Sequence, residues 1–373
     1  MSQSGTAATS TSGSTVASPA PSPSSTASTA ATSGPSKFDY GFNVFAREDA
    51  NGQPFNQQVI SAVKGAGFGW VRVPLLWANF EPAPGAWNPL PVDRLVNQFG
   101  GAGVKLLLTV SDAPQWAINK NGQSYLSNYG DFQQLMQFLA SRYKGKVQAW
   151  EIWNEENLAS NMNGIVRVDD YCRLLQAGYL GVKAGDPNAL VVFGGLTPTG
   201  VNNPKVAIDD VTYLNQFYTH QNGYYTKFFD VLGVHTNATD HPPSQLYPSD
   251  PGTGGWSNSG SFYFRRAEQL RQVMQNHGDA RPVWITEFGW TTANQAPGYG
   301  YGANVSPQQQ AQYLVGAFDW AHTHWPWVTG MFVWNLNYSV ITQPSDEKYP
   351  WSVLNSDWSP RPAYTALKAM PKS

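Results

Sequence analysis

At 373 residues, 41% of them hydrophobic, the chain is long enough for one large domain or two smaller ones and apolar enough for a sizeable core. Charged residues make up only 13% and the formal net charge is -2, which gives no reason to expect nucleic acid or an anionic membrane surface as a partner. No apolar run approaches the roughly 20 residues needed to cross a bilayer, so no membrane span is expected.

Residues 1–36 are almost entirely Ser, Thr, Ala, Pro and Gly, with no aromatic residue and Val16 as the one β-branched aliphatic. Such a segment cannot bury enough surface to offset its ordering entropy and reads as a disordered, low-complexity linker. Tails of this kind follow export signals in bacteria. With no basic start or apolar stretch present, the expectation is a secreted or cell-surface protein whose targeting segment is absent from this chain.

The character changes after Lys37. A short strand is expected over 40–44, a helix over 57–67, a strand over 68–76, a helix over 91–103 and a strand over 104–110. Helix 132–143 precedes strand 147–155, helix 168–185 precedes strand 189–196, and helix 211–221 precedes strand 229–235. Helix 261–278 precedes strand 282–288, helix 306–325 precedes strand 328–335, and a closing helix spans 361–369. Eight near-continuously apolar strands alternating with helices predict a parallel sheet covered on both faces, and eight such units fit a closed (β/α)8 TIM barrel over 37–373. An open dinucleotide-binding sheet would carry a glycine fingerprint after its first strand, whereas GYGYGA (298–303) follows the seventh and reads as a glycine-rich turn.

Active-site residues of such barrels lie at the C-terminal ends of strands. The chain has only eight glutamates, and three of them fall in EIWNEENL (151–158). Glu155 closes the fourth predicted strand and Glu287 the seventh, in VWITEFGW (283–290). Two carboxylates facing one cleft are what glycoside hydrolysis needs, one as a proton donor and one as an anion. Glu151 shares strand parity with Glu155 and is expected to point inward and pair with Arg72, since a buried carboxylate without a partner is costly. Glu81 is expected to fix a loop. Fifteen tryptophans exceed what a core readily absorbs, because each buried indole N–H wants a partner. Trp77, Trp116, Trp153 and Trp290 are therefore the candidate sugar-stacking platforms. The single cysteine, Cys172, reads as a core thiol, and His235 is the one histidine at a strand end. No metal and no cofactor are expected.

WEIWNEENL and WITEFGW, together with WVRVPLLWANFEPAPGAWN (70–88), TVSDAPQWA (109–117), DPNALVVFGGL (186–196), FVWNL (332–336) and SPRPAYTAL (359–367), resemble the retaining glycoside hydrolases of clan A. Within the clan they are most similar to family 39 and to family-39-like enzymes that cut bacterial exopolysaccharide. The resemblance implies Glu155 as acid/base, Glu287 as nucleophile, Asn154 as a hydrogen-bond partner of the sugar 2-hydroxyl and Trp334 as the floor of the reacting subsite. It further implies Arg72 as the group that keeps Glu287 ionised, and His235 as part of the same pocket. Two departures stand out: Glu156 replaces the usual proline after the acid/base, and HTN (235–237) replaces the usual His-x-Tyr. By strand alternation Glu156 is expected to face solvent.

The function expected is therefore double-displacement hydrolysis of a β-linked oligo- or polysaccharide by a monomeric enzyme. Aromatic-bearing loops at 222–225, 242–260 and 296–305 suggest an open groove and endo action on a glucan or exopolysaccharide. An exo-acting β-xylosidase or β-glucosidase and a catalytically inactive glycan-binding barrel are the alternatives.

Overall fold

Barrel strands and the helices that cover them alternate in the order β1 (Asp39–Asn43), α1 (Gly52–Gly65), β2 (Trp70–Leu76), α2 (Leu90–Gly101), β3 (Lys105–Ser111), α3 (Tyr129–Arg142), β4 (Ala149–Ile152), α4 (Val168–Gly185), β5 (Leu190–Phe193), α5 (Asp210–Thr219), β6 (Leu232–His235), α6 (Arg266–Asn276), β7 (Val283–Phe288), α7 (Pro307–His324), β8 (Val328–Val333) and α8 (Pro362–Ala369), with a one-turn helix (Trp77–Phe80) and a short antiparallel pair (Asn202–Asn203 with Ala207–Ile208) set into the connections. The structure is a computed structural model that describes residues 38–47, 49, 52–251 and 259–372. The expected linker over 1–36 lies outside the described residues, as does part of the 242–260 loop. All pairings between successive strands are parallel, in the order β5-β4-β3-β2-β1-β8-β7-β6. The remaining seam closes through bridges Val192–Val231 and Leu196–Val234 and a 2.9 Å bond from the Phe193 amide to the Val231 carbonyl. This is the expected (β/α)8 barrel. Among the described residues no helix is long and apolar enough to cross a membrane.

The barrel interior is filled in two layers of opposite chemistry. Toward the strand N-termini, Trp70, Leu107, Ala149, Val192, Val231, Trp284 and Phe332 form a closed apolar plug, with the Trp70 and Trp284 rings edge-to-face at 5.1 Å. Above it, side chains of the same strands are polar: Asn43, Arg72, Thr109, Glu151, His235 and Glu287, all buried. A second apolar core lies between strands and helices and contains Cys172, a free thiol whose ionisation burial opposes. Helix starts follow local chemistry. Asn128 caps α3, and Ser306, Pro307 and Gln309 form a capping box with proline at the first position of α7.

Two irregularities aim the upper layer. β4 stops at Ile152, three residues short of the predicted end, because Trp153 (φ 74°) and Glu155 (φ 50°) take left-handed backbone conformations. β7 carries a bulge: Val234 and His235 oppose Ile285 and Glu287, so one residue of β7 is left over. A bulge re-aims side chains at a barrel rim. The 222–225 segment, by contrast, belongs to the α5–β6 connection, at the end of the barrel opposite the strand C-termini, so it cannot line a catalytic groove.

Helix α4 meets α3 backbone to backbone. A Cβ on Gly181 would come 2.8 Å from the Met136 Cβ and 2.9 Å from the Gln137 nitrogen, and would overlap the Gln133 carbonyl. Gly181→Val should therefore force the helices apart and destabilise the barrel by about 3 kcal/mol, at the upper end of the usual overpacking range. Thermal unfolding checks this; an unchanged Tm would contradict the close approach.

Candidate active site

Arg72 organises the polar layer. It leaves β2 into the barrel and is almost fully buried. Its Nε donates to Glu151 Oε2 at 2.5 Å, one terminal nitrogen to Asn43 Oδ1 at 2.9 Å and Glu287 Oε1 at 2.5 Å, and the other to Asn154 Oδ1 at 2.6 Å. Glu151 also accepts from the Thr109 hydroxyl at 2.5 Å, while Asn43 donates to the Thr286 carbonyl at 2.9 Å. The expected pairing of Glu151 with Arg72 is present. Burial disfavours the guanidinium, but Glu151 and Glu287 outweigh it, and Arg72 stays charged at any working pH.

Glu155 and Glu287 come together at the top of this layer. Between them lies His235, fully buried, with Nδ1 3.1 Å from Glu155 Oε1 and Nε2 3.7 Å from Glu287 Oε1. One atom of each of the three groups lies within 4.8 Å of the others. A cation would also fit such a spacing, but the Arg72 guanidinium bonded to Glu287 opposes a second positive charge there.

The three groups titrate as a cluster. Burial presses His235 toward neutrality, yet Glu287 and Glu155 outweigh it and hold the imidazole above its ordinary value. Glu155 is raised by burial but pulled further down by the His235 hydrogen bond and charge, with help from Thr197 and Arg72, and ends below the usual carboxylate range. Its side chain keeps 21% exposure, which favours the charged form in the open site. Glu287 ends above the usual range, because burial and the repulsion of Glu155 and Glu151 exceed the pull of His235 and Arg72. The guanidinium in direct contact limits that rise.

Both carboxylates open into a cleft of about 540 Å³, whose lining also includes Asn154, Thr197, Asn237, Tyr299, Tyr301, Trp334, Glu347, Lys348 and Trp351. Trp334 stands at the end of β8, partly exposed, its ring 5.1 Å from Tyr338. Asn237 takes the place of the expected tyrosine on the cleft wall. A larger groove of about 880 Å³ beside α7 has no Asp or Glu in its wall.

None of the four proposed stacking platforms lines the cleft. Trp77, Trp153 and Trp290 are completely buried. Their indole N–H groups donate to Glu81 at 2.7 Å, the Asn161 carbonyl at 3.1 Å and the His241 carbonyl at 2.8 Å, so each loop supplies the partner that a core tryptophan needs. Trp116 is partly exposed, donates to the Glu81 carbonyl at 3.0 Å and packs edge-on to Trp77 at 5.6 Å, outside the cleft lining. Glu81 holds its loop by accepting from the Gly85 amide at 2.8 Å, as expected. Glu156 departs from expectation: it is wholly buried on the far side of the Glu155 turn. Tyr299, Tyr301, Glu347, Lys348 and Trp351 come from the loops after β7 and β8, which carry no periodic signal in the sequence. Asn43 and Thr109 did carry one, as polar residues within apolar strands.

Residues 35–338 match the cellulase family, glycosyl hydrolase family 5. Among solved structures, a family 39 glycoside hydrolase from Bacteroides cellulosilyticus superposes with a TM-score of 0.64 at 21% identity, over 89% of this chain and 63% of that one. A GH5_18 from Bifidobacterium longum subsp. infantis gives 0.63 at 14% identity, over 89% and 78%. Xylanase 10B from Thermotoga maritima gives 0.59 at 16% identity, over 89% and 94%. The chain thus spans less than two thirds of the family 39 structure, and identities this low speak for the shared barrel alone. The sequence resemblance points to clan A with family 39 foremost; the match over most of the chain is to family 5. On that match, the chain belongs to the cellulase family, glycosyl hydrolase family 5.

Proposed function

We propose that the protein is a retaining glycoside hydrolase that cleaves a β-linked polysaccharide from within. The observation that carries this reading is the spacing of Glu155 and Glu287, which present oxygens within 4.8 Å of each other to one cleft. Retaining enzymes hold their carboxyl groups about 5–5.5 Å apart, whereas inverting enzymes need about 6.5–9.5 Å to admit a water molecule.

Glu287, held by the Arg72 guanidinium, attacks the anomeric carbon, and Glu155 protonates the departing oxygen. The covalent glycosyl–enzyme ester is then opened by water that Glu155 deprotonates. The proton needed on Glu155 is available across its 3.1 Å contact with His235 Nδ1. Asn154 has its carbonyl oxygen occupied by Arg72, which leaves its NH2 to donate to a sugar hydroxyl. Trp334 offers a ring face beneath the reacting sugar. Glu347 and Lys348 offer charged hydrogen-bonding groups at the same wall. The family names of the match and the neighbours, cellulase and xylanase, fit a β-linked chain as substrate.

Glu287→Gln should abolish hydrolysis while leaving the barrel folded, and Glu155→Gln should cost about 10²–10⁴-fold in kcat, less with a leaving group that needs no proton. Both are measured on a panel of β-glucan, xylan and mannan, with product lengths resolved. Short oligosaccharides from mid-chain support the reading; release of monosaccharide alone would replace it with an exo-acting enzyme, and near-normal turnover in Glu287→Gln would refute it.

The pH profile follows from the same cluster. kcat/KM should rise as Glu287 ionises, at a pH above the roughly 4.3 of a free glutamate because its carboxyl is raised. It should fall as the His235–Glu155 pair loses its shared proton, above the roughly 6.5 of free histidine because the imidazole is raised. A profile still climbing into the alkaline range would contradict the assignment of the acid.

A further inference from the structure

Glu156 is the buried carboxyl that the mechanism does not use. Its exposure is 0%, and neither of its oxygens makes a regular hydrogen bond, its own amide and the Tyr171 hydroxyl being the nearby donors. The carboxyl lies against Gly194 at the end of β5, where a Cβ would overlap it and would also come 2.8 Å from the Ile152 carbonyl. Close by, the Tyr171 hydroxyl from α4 accepts from the Gly194 amide at 2.7 Å and donates to the Ile152 carbonyl at 3.1 Å, so it ties the end of β4 to the end of β5. That joint carries the turn on which Glu155 sits: the Glu155 amide donates to the Gly195 carbonyl at 3.0 Å.

The titratable groups facing Glu156 are Glu151 from β4, Glu155 from the turn, Tyr171 from α4 and Tyr213 from α5, whose own hydroxyl is buried without a partner. From β5 the neighbour is Gly194. Desolvation opposes charge on Glu156 most, and with the repulsion of Glu151 and Glu155 it outweighs the residue's own amide and the Tyr171 hydroxyl, so the carboxyl is held well above the usual carboxylate range.

We propose that Glu156 is a positioning residue that couples the seat of Glu155 to pH: uncharged, its carboxyl fills the space behind the Trp153–Glu155 turn; charged, it leaves that space and opens the turn that aims the acid. The proposal rests on Glu155 being the acid/base. An apolar side chain would fill the same volume without the cost of a poorly paired buried polar group, so the carboxyl works against stability.

The sign of the linkage follows. Below the unfolded value, about 4.3, both states are protonated and Glu156 has no pH-dependent effect. As pH rises, the unfolded chain releases the proton while the folded chain retains it, so stability falls until the folded carboxyl titrates. Glu156→Gln removes this term.

The test compares wild type and Glu156→Gln, with Glu156→Leu as a second non-ionising variant should glutamine fail to fold. Thermal unfolding is followed from about pH 4 to about pH 8. The variant's Tm advantage over wild type should widen with rising pH by about 2 °C or more. The alkaline limb of the kcat profile, read from initial rates on the most rapidly cut polysaccharide of the panel well below the Tm, should move to higher pH in the variant, which a merely space-filling carboxyl would not cause. A Tm difference that stays constant with pH, or an unmoved alkaline limb, would overturn the proposal. Failure of the acid/base reading shows separately, as Glu155→Gln retaining turnover.

Discussion

The upper barrel depends on one buried guanidinium. Arg72 bonds to two carboxylates, Glu151 and Glu287, and to two amides, Asn43 and Asn154, which lie on or just beyond three different strands. Removing it would leave Glu151 with no compensating charge, and stranding one partner of a buried ion pair costs about 3–5 kcal/mol. Glu151 is therefore the structural half of the arrangement: it balances Arg72 so that Arg72 can hold Glu287. The apolar plug beneath excludes water from the lower barrel, which strengthens each of these contacts.

The same electrostatics separate two chemically identical acids. Glu287 touches a permanent cation; Glu155 touches a titratable imidazole and keeps an edge in the cleft. A fixed cation beside one acid and a proton carrier beside the other give the pair unlike surroundings, the asymmetry on which the proposed two-carboxylate chemistry rests. Backbone irregularities make the placement possible. Left-handed residues after β4 and a bulge in β7 turn both side chains toward one opening, where regular alternation would have set them by strand parity alone.

Much of this was legible in the sequence. Eight apolar runs alternating with helical periods specify the barrel, because strands buried on both faces have little freedom to be anything else. The inward parity of Glu151 and the strand-end positions of Glu287 and His235 follow from period-two geometry. Parity failed where the strand ended early. Glu156, read as solvent-facing, lies behind the turn because Trp153 and Glu155 leave the extended region, and that change also sends Trp153 into the outer core beside Tyr125 and Phe132. The tryptophans misled for a related reason: their N–H partners are loop carbonyls and a loop carboxylate, which sequence spacing does not reveal. Tyr299 falls in the 296–305 loop whose aromatics marked it for the groove, whereas Glu347 and Lys348 were out of reach because a long loop brings them to the cleft.

The two-acid geometry is tested most directly by following the anomeric configuration of the first-formed product with proton NMR during hydrolysis of a β-linked polysaccharide. Glu155 and Glu287 at this separation predict a β-configured sugar as the initial product, appearing before mutarotation. An α-configured initial product would mean that water, not Glu287, attacks first, and would contradict the proposed chemistry.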